Sequence, residues 1–244
     1  MKTKLAIAVT LLVVLSASIA GANEVTAEDV VNNYIEALGG AEALTKYESR
    51  HMTGTFGQSG MTGELHVYST SAQNYRMRLE LTGVGEFEEG VFEGNGWTYD
   101  TMSGPQIMTG IHLESSLVRN RYNVELGYFE LYDGVIYEGE VEYDGVLCNK
   151  LRLEGSWGST SEYFEIETGL MRGGEGELPV AGGMLVNFKT TVVEYAEFDG
   201  RLYQSKTVQE SPMGIQEIKI TQVTHGQDDV EQVQPPTAVK PLLP

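Results

Sequence analysis

The chain has 244 residues, with 35 acidic side chains against 16 basic ones and a formal charge of −19. An exterior this acidic is repelled by nucleic acid and by anionic membrane surfaces, leaving cationic or neutral partners. The single cysteine, Cys148, excludes an intramolecular disulfide framework, and the length suits one all-β domain with a sizeable core.

Met1-Lys2-Thr3-Lys4 is basic, Leu5 to Ile19 is almost unbroken apolar sequence, and Ala20-Gly21-Ala22 offers small residues at a cleavage site. This pattern predicts a secretory signal peptide over residues 1–22, and a soluble, exported, periplasmic protein after its removal. The apolar run is shorter than the roughly twenty residues of a spanning helix. No other segment is apolar for long enough to span a bilayer, so no stable membrane insertion is expected.

Thr26-Ala27-Glu28-Asp29 reads as a helix N-cap, followed by Val30, Val31, Tyr34, Ala37 and Leu38 at helical spacing, with Gly39-Gly40 as the stop. Ala41 to Tyr47 adds a further helical turn or two. From Ser49 onward the apolar period changes from 3.6 to 2. Met77, Leu79 and Leu81 alternate with Arg76, Arg78 and Glu80, and Val135, Tyr137, Val141 and Tyr143 share another face. Leu147, Leu151 and Leu153 oppose Cys148, Lys150 and Arg152, while Phe164 and Ile166 oppose Glu165 and Glu167. Val186, Phe188 and Val192 mark a further strand, and strands over 202–209 and 215–223 complete the set.

Asn95-Gly96 predicts a two-residue type I′ hairpin turn, because both central positions need positive φ. Trp97 and Tyr99 then form a short strand, Ser103-Gly104-Pro105 breaks it, and Ile111 to Val118 has the apolar spacing of an amphipathic helix. Asp144-Gly145 and Asp199-Gly200 are further turn signals. Residues 227–244, with Pro235-Pro236, Pro241 and Pro244, lose the strand pattern and read as an extended, partly disordered tail.

Short turns between alternating strands predict an antiparallel meander, apolar on one side and wet on the other. Only two helical regions are available to cover the apolar side, and a large curved sheet with so little cover tends to leave a cavity.

Several segments carry a resemblance. Ala37-Leu38-Gly39-Gly40-Ala41-Glu42-Ala43-Leu44, followed by Met52-Thr53-Gly54-Thr55, resembles the opening of domains in the outer-membrane lipoprotein-sorting (LolA-like) superfamily. Asn95-Gly96-Trp97 through Gly104-Pro105 is similar to their middle segment, where a strand runs into a loop and a lid-like helix. Tyr163-Phe164-Glu165-Ile166-Glu167-Thr168-Gly169-Leu170 and the Pro-rich ending Gln234 to Lys240 are similar to their later elements. The resemblance implies an incomplete antiparallel β-barrel over residues 23–226, closed by a few α-helices around an apolar cavity that in the carriers holds lipoprotein acyl chains. The carriers also place an Arg shortly after their Gly-acid-Leu-x-Val strand. Here Gly63 to Tyr68 is followed by Ser69-Thr70-Ser71, which puts the lid-holding role of that Arg in doubt.

No enzymatic chemistry is expected. His51, His66, His112 and His225 lack metal-ligand spacing, so neither metal nor cofactor is called for; His51 and His66, on neighbouring strands, are expected as surface or hydrogen-bonded side chains. There is no nucleophile elbow or phosphate-binding loop, and Cys148 has no nearby base to activate it. The expected function is a periplasmic carrier or chaperone for an acyl chain or lipoprotein. The alternative is a sensor or regulatory module of the same fold that recognises envelope lipids or a protein partner; a secreted hydrolase ranks third. The expected cavity lining is Met77, Leu79, Leu81, Phe164, Ile166, Val186 and Phe188, with Trp97 near the rim or the lid.

Overall fold

The computed structural model describes residues 24–180, 183–226 and 231–243. The leader expected over residues 1–22 lies outside them. Helix α1 (Ala27–Ala37) and α2 (Gly40–Thr45) come first, then strands β1 (Ser49–Gln58), β2 (Met61–Thr70), β3 (Tyr75–Leu81), β4 (Gly85–Phe92), β5 (Asn95–Asp100) and β6 (Gly104–Ile107). Helices α3 (Gly110–Arg119) and α4 (Tyr128–Leu131) follow. The chain then returns to β7 (Gly134–Tyr143), β8 (Val146–Gly155), β9 (Gly158–Glu165), β10 (Met171–Pro179), β11 (Leu185–Phe198), β12 (Arg201–Ser211) and β13 (Gly214–His225).

All thirteen strands form one antiparallel sheet in the order β6-β5-β4-β3-β2-β1-β13-β12-β11-β10-β9-β8-β7. Every neighbour is consecutive in sequence except β1 and β13, which join the two meanders along a register that includes Met52 opposite Val223. With β6 and β7 as its edges among the described residues, the sheet curves but does not close into a barrel.

Opposed residues share a face, so the register fixes what points inward. Gly54, Leu65 and Leu79 are aligned across β1, β2 and β3, as are Met52, Val67 and Met77. This stripe continues into Ile220 and Val223 of β13 and forms one apolar cluster with Leu65 and Tyr203. The larger cluster lies at the other end of the trough, beneath α1. There Val30, Val31, Tyr34 and Leu38, with Leu44 of α2, pack on Leu151, Leu153 and Phe164. Each such burial contributes about 1.5–3 kcal/mol. The expected capping box starts α1: Asp29 N donates to Thr26 Oγ1 at 3.1 Å and Thr26 N to Asp29 Oδ2 at 2.9 Å. Gly39 is required where α1 meets β12. Its φ is +118°, and a Cβ there would lie 2.6 Å from the Gly200 carbonyl oxygen.

Four expectations are corrected. The hairpin turn falls on Glu93 and Gly94, with φ of 50° and 79°, so Asn95 and Gly96 begin β5. The uniform face assigned to Val135, Tyr137, Val141 and Tyr143 is split by a β-bulge between Tyr137 and Gly139. Val135 and Tyr137 join the helix-covered core, while Val141 and Tyr143 join Cys148 and Tyr163 in a separate cluster. The third correction is α4 together with the 3₁₀ turn before it, Val124–Gly127, which add to the two helical regions expected. Finally, the Pro-rich tail packs: Val233 and Val239 are fully buried, and Arg76 Nη1 donates to the carbonyls of Gln232 and Gln234 at 3.1 and 3.2 Å.

Cys148 is a buried strand residue, as expected. Burial first, and then Glu165, push its thiol up to about 11, which makes it a poor nucleophile at neutral pH.

A candidate ligand cavity on the concave face

Helix α3 packs on β5 and on β10, strands from different meanders, and so bridges the concave side of the sheet. The space it partly covers falls into adjoining lobes. One, of about 550 Å³, lies between α3 and the β3–β6 wall and includes Met77, Phe87, Glu89 and Thr98. A second, of about 170 Å³, is walled by Phe188 and Val192 of β11, Met171 of β10, Tyr132 and Trp157. Arg119, Leu178 and Gln209 line both, so the two share a boundary.

The bridging helix turns an unexpected side to this space. His112, Ser115, Ser116 and Arg119, at spacings of three and four, all line the larger lobe. Ser115 is 1% exposed, and its hydroxyl has no hydrogen-bond partner among the described residues. The apolar residue Leu113 instead packs against Gly96. The apolar periodicity of Ile111 to Val118 correctly marked a helix, but its polar stripe is the one facing the cavity.

That stripe meets ionisable groups on the sheet. Burial raises the Glu89 carboxyl above the usual carboxylate range, with Arg119 and the Tyr75 hydroxyl opposing the shift. Glu162 on β9 is pushed up to about 7 by burial, against a stabilising hydrogen bond from the Tyr128 hydroxyl at 2.7 Å. Burial and the Arg119 charge lower His112. The cavity therefore combines apolar walls, supplied by Met77, Phe87, Leu178, Phe188 and Val192, with a band of polar and charged side chains. This is a more polar lining than the sequence implied.

Among the eight residues expected to line a cavity, Met77 and Phe188 do so. Leu79 and Leu81 share the concave face with Met77; Leu79 is buried, and both lie against Gly63. Val186, opposite Leu178, is half-buried on the face of Phe188. Phe164 sits in the dry core under α1, edge-on to Tyr34 with ring centroids 5.1 Å apart. Ile166 lies beyond the end of β9 and is 41% exposed. Trp97 is neither rim nor lid. It is opposite Gly90, which is opposite Arg76, and so faces away from Met77 and Thr98. On that convex face it is fully buried, against Gly90 and on the side where Arg76 holds the C-terminal segment.

His51 and His66 are also on the convex face. They meet at 3.1 Å, Nε2 to Nδ1, and His66 Nε2 lies 3.2 Å from Glu64. Among the described residues, no three His, Cys, Asp or Glu side chains are grouped to hold a metal.

The polar groups of the cavity were missed because each looks like an ordinary solvated polar side chain in the sequence. One signal was available: His112, Ser115, Ser116 and Arg119 are themselves at helical spacing.

No protein-family model matches this sequence, and no curated protein matches it. Solved structures do share its fold. A LolA-superfamily protein from Nitrosomonas europaea superposes with a TM-score of 0.57 at 10% identity, over 87% of this chain and 99% of its own. A DUF1329-family protein from Desulfovibrio piger gives a TM-score of 0.54 at 13% identity, over 85% and 99%. The chain thus has the fold of LolA-superfamily proteins, as the resemblance implied. Among the described residues, no helix is long and apolar enough to cross a membrane.

Proposed function

We propose that this protein is an exported, periplasmic, non-enzymatic carrier that holds an acyl chain of a lipid or lipoprotein in its concave cavity. The observation that carries this reading is the partly open cavity between α3 and the sheet. An apolar cavity of roughly 150 Å³ is enough to take up benzene, and the lobe walled by Phe188, Val192 and Trp157 alone measures about 170 Å³. Each methylene buried there contributes about 0.8 kcal/mol, so a modest length of chain gives useful affinity without a polar anchor. The shared fold with LolA-superfamily structures supports the same reading.

A fluorescent long-chain fatty-acid probe tests it. The protein should bind the probe, Phe188→Asp should weaken binding at least about tenfold by placing a charge on the apolar wall, and Met213→Asp, at an exposed turn away from the cavity, should not. Thermal melts separate loss of binding from loss of fold. Failure of the unmodified protein to bind the probe would overturn the carrier reading and favour a module that docks a protein partner.

A further inference from the structure

A third lobe, of about 270 Å³, adjoins the Phe188 lobe, and Gln204 of β12 lines both. It lies between α1 and strands β1, β12 and β13, and its walls carry Arg50, Arg201 and Glu125. The other lining residues are Tyr34, Tyr203, Gln204 and Thr207 with apolar neighbours, so no second carboxylate lines the lobe. Two guanidinium groups against one carboxylate leave a positive surplus inside a chain whose overall charge is −19. Arg201 is paired with Glu125, so the surplus is the half-buried Arg50 guanidinium, which has no carboxylate partner among the described residues and which an incoming anion would pair.

The two arginines are held in place. Arg201 is 5% exposed; its Nη1 donates to Asn123 Oδ1 at 2.6 Å and its Nη2 to Glu125 Oε1 at 3.1 Å. Its Nε has no partner among the described residues, and neither has Glu125 Oε2. Arg50 donates Nε to Ser69 Oγ at 3.0 Å and lies over the rings of Tyr122 and Tyr203, 5.0 and 5.9 Å from their centroids. Its terminal nitrogens make no further hydrogen bond among the described residues. Planar guanidinium groups fixed in this way suit an oxyanion better than flexible lysines do.

We infer that the ligand is an anionic amphiphile, with its carboxylate or phosphate held by Arg50 and Arg201 and its alkyl chain laid past Gln204 along Phe188 and Val192. This rests on the acyl-chain reading and adds the chemistry of the head group. A chain leaving the cationic lobe at Gln204 enters the most apolar part of the trough directly, whereas a free inorganic anion has no use for that wall.

Binding of a fluorescent long-chain fatty acid and of its methyl ester tests the inference. The acid should bind at least about tenfold more tightly than the ester at low salt, with the difference shrinking as ionic strength rises. Arg50→Gln should narrow the difference, lowering acid affinity by a larger factor than ester affinity, and Arg50→Lys should restore part of it. Thermal melts report whether either variant is folded. Displacement of the acid probe by laurate or by a short-chain phosphatidylglycerol then distinguishes a carboxylate from a phosphate head, and preference for either supports the inference. Equal binding of acid and ester would overturn it and leave the acyl-chain reading standing. Binding of neither would overturn both, and inorganic phosphate displacing the probe as effectively as the lipids would reduce the lobe to a site for free anions.

Discussion

Gly96 of β5 lies directly beneath Leu113 of α3: a Cβ on Gly96 would sit 2.7 Å from Leu113 Cδ1 and 2.9 Å from Met108 Sδ. The bridging helix thus rests on bare backbone at the point where β5 supports it. The same residue looked like half of a hairpin turn in the sequence, where a glycine's close approach and its freedom of φ leave identical signatures.

Gly96→Ala should therefore lift α3 from the sheet and not disturb the turn, which Glu93 and Gly94 make. Overpacking of this kind costs about 1–3 kcal/mol. A lowered melting temperature with faster proteolysis within residues 110–119 is the expected result. An unchanged melt would show that Leu113 simply moves aside.

The two tryptophans give an optical check on which face carries the ligand. Trp157 lines the Phe188 lobe, whereas Trp97 is buried on the convex face. Adding a fatty acid should alter intrinsic fluorescence, Trp157→Phe should abolish the change, and Trp97→Phe should preserve it. The opposite pattern would return Trp97 to the cavity.

Much of the fold could be read from the sequence because it rests on local rules. The capping box of Thr26 and Asp29, the period-2 alternation of Met77, Leu79 and Leu81, and the Asp144-Gly145 and Asp199-Gly200 turns each follow from a few neighbouring residues. The site was less legible because it depends on which strands meet. Alternation places Trp97 opposite in direction to Thr98, but not on the concave or the convex side; that is decided by pairing with Gly90 and Arg76. The bulge after Tyr137 reverses a face, and its one signal, Gly139 with φ of 96°, is a lone glycine that the alternation on either side hides. Arg50 and Arg201 are 151 positions apart and become neighbours only because β1 pairs with β13, which pairs with β12.

Glu162 should make stability fall as pH rises through neutrality. Burial raises its folded-state value to about 7 from an ordinary 4.5, so the folded protein holds this proton more tightly than the unfolded chain does. The contribution is fully favourable below about pH 4.5 and is lost between there and pH 7. Glu162→Gln keeps an acceptor for the Tyr128 hydroxyl and removes the titration. It should raise stability at pH 8 by on the order of 3 kcal/mol and give little gain at pH 4.5. Melting curves of both proteins at the two pH values measure the difference, and an equal gain at both would mean that Glu162 does not titrate in this range.

The C-terminal segment should act as a structural clasp on the convex face. Arg76 is bound through Nε to the buried Glu88 at 2.7 Å and through Nη1 to the carbonyls of Gln232 and Gln234, while Val233 and Val239 are fully buried. Ending the chain after Gly226 removes these apolar contacts and leaves Arg76 and Glu88 with only each other. Two fully buried valines at about 1.5–3 kcal/mol each would be a large share of a stability that is typically 5–15 kcal/mol. The truncated protein is therefore expected to melt well below the full chain. In a Trp157→Phe background, where Trp97 is the sole emitter, truncation should also shift emission to the red as water reaches the convex face. Fatty-acid binding, measured below the new melting temperature, should survive, because the cavity lies on the other side of the sheet. A truncated chain with an unchanged melt and unshifted emission would mean that the segment adds nothing to the domain and that Trp97 is covered by the sheet alone.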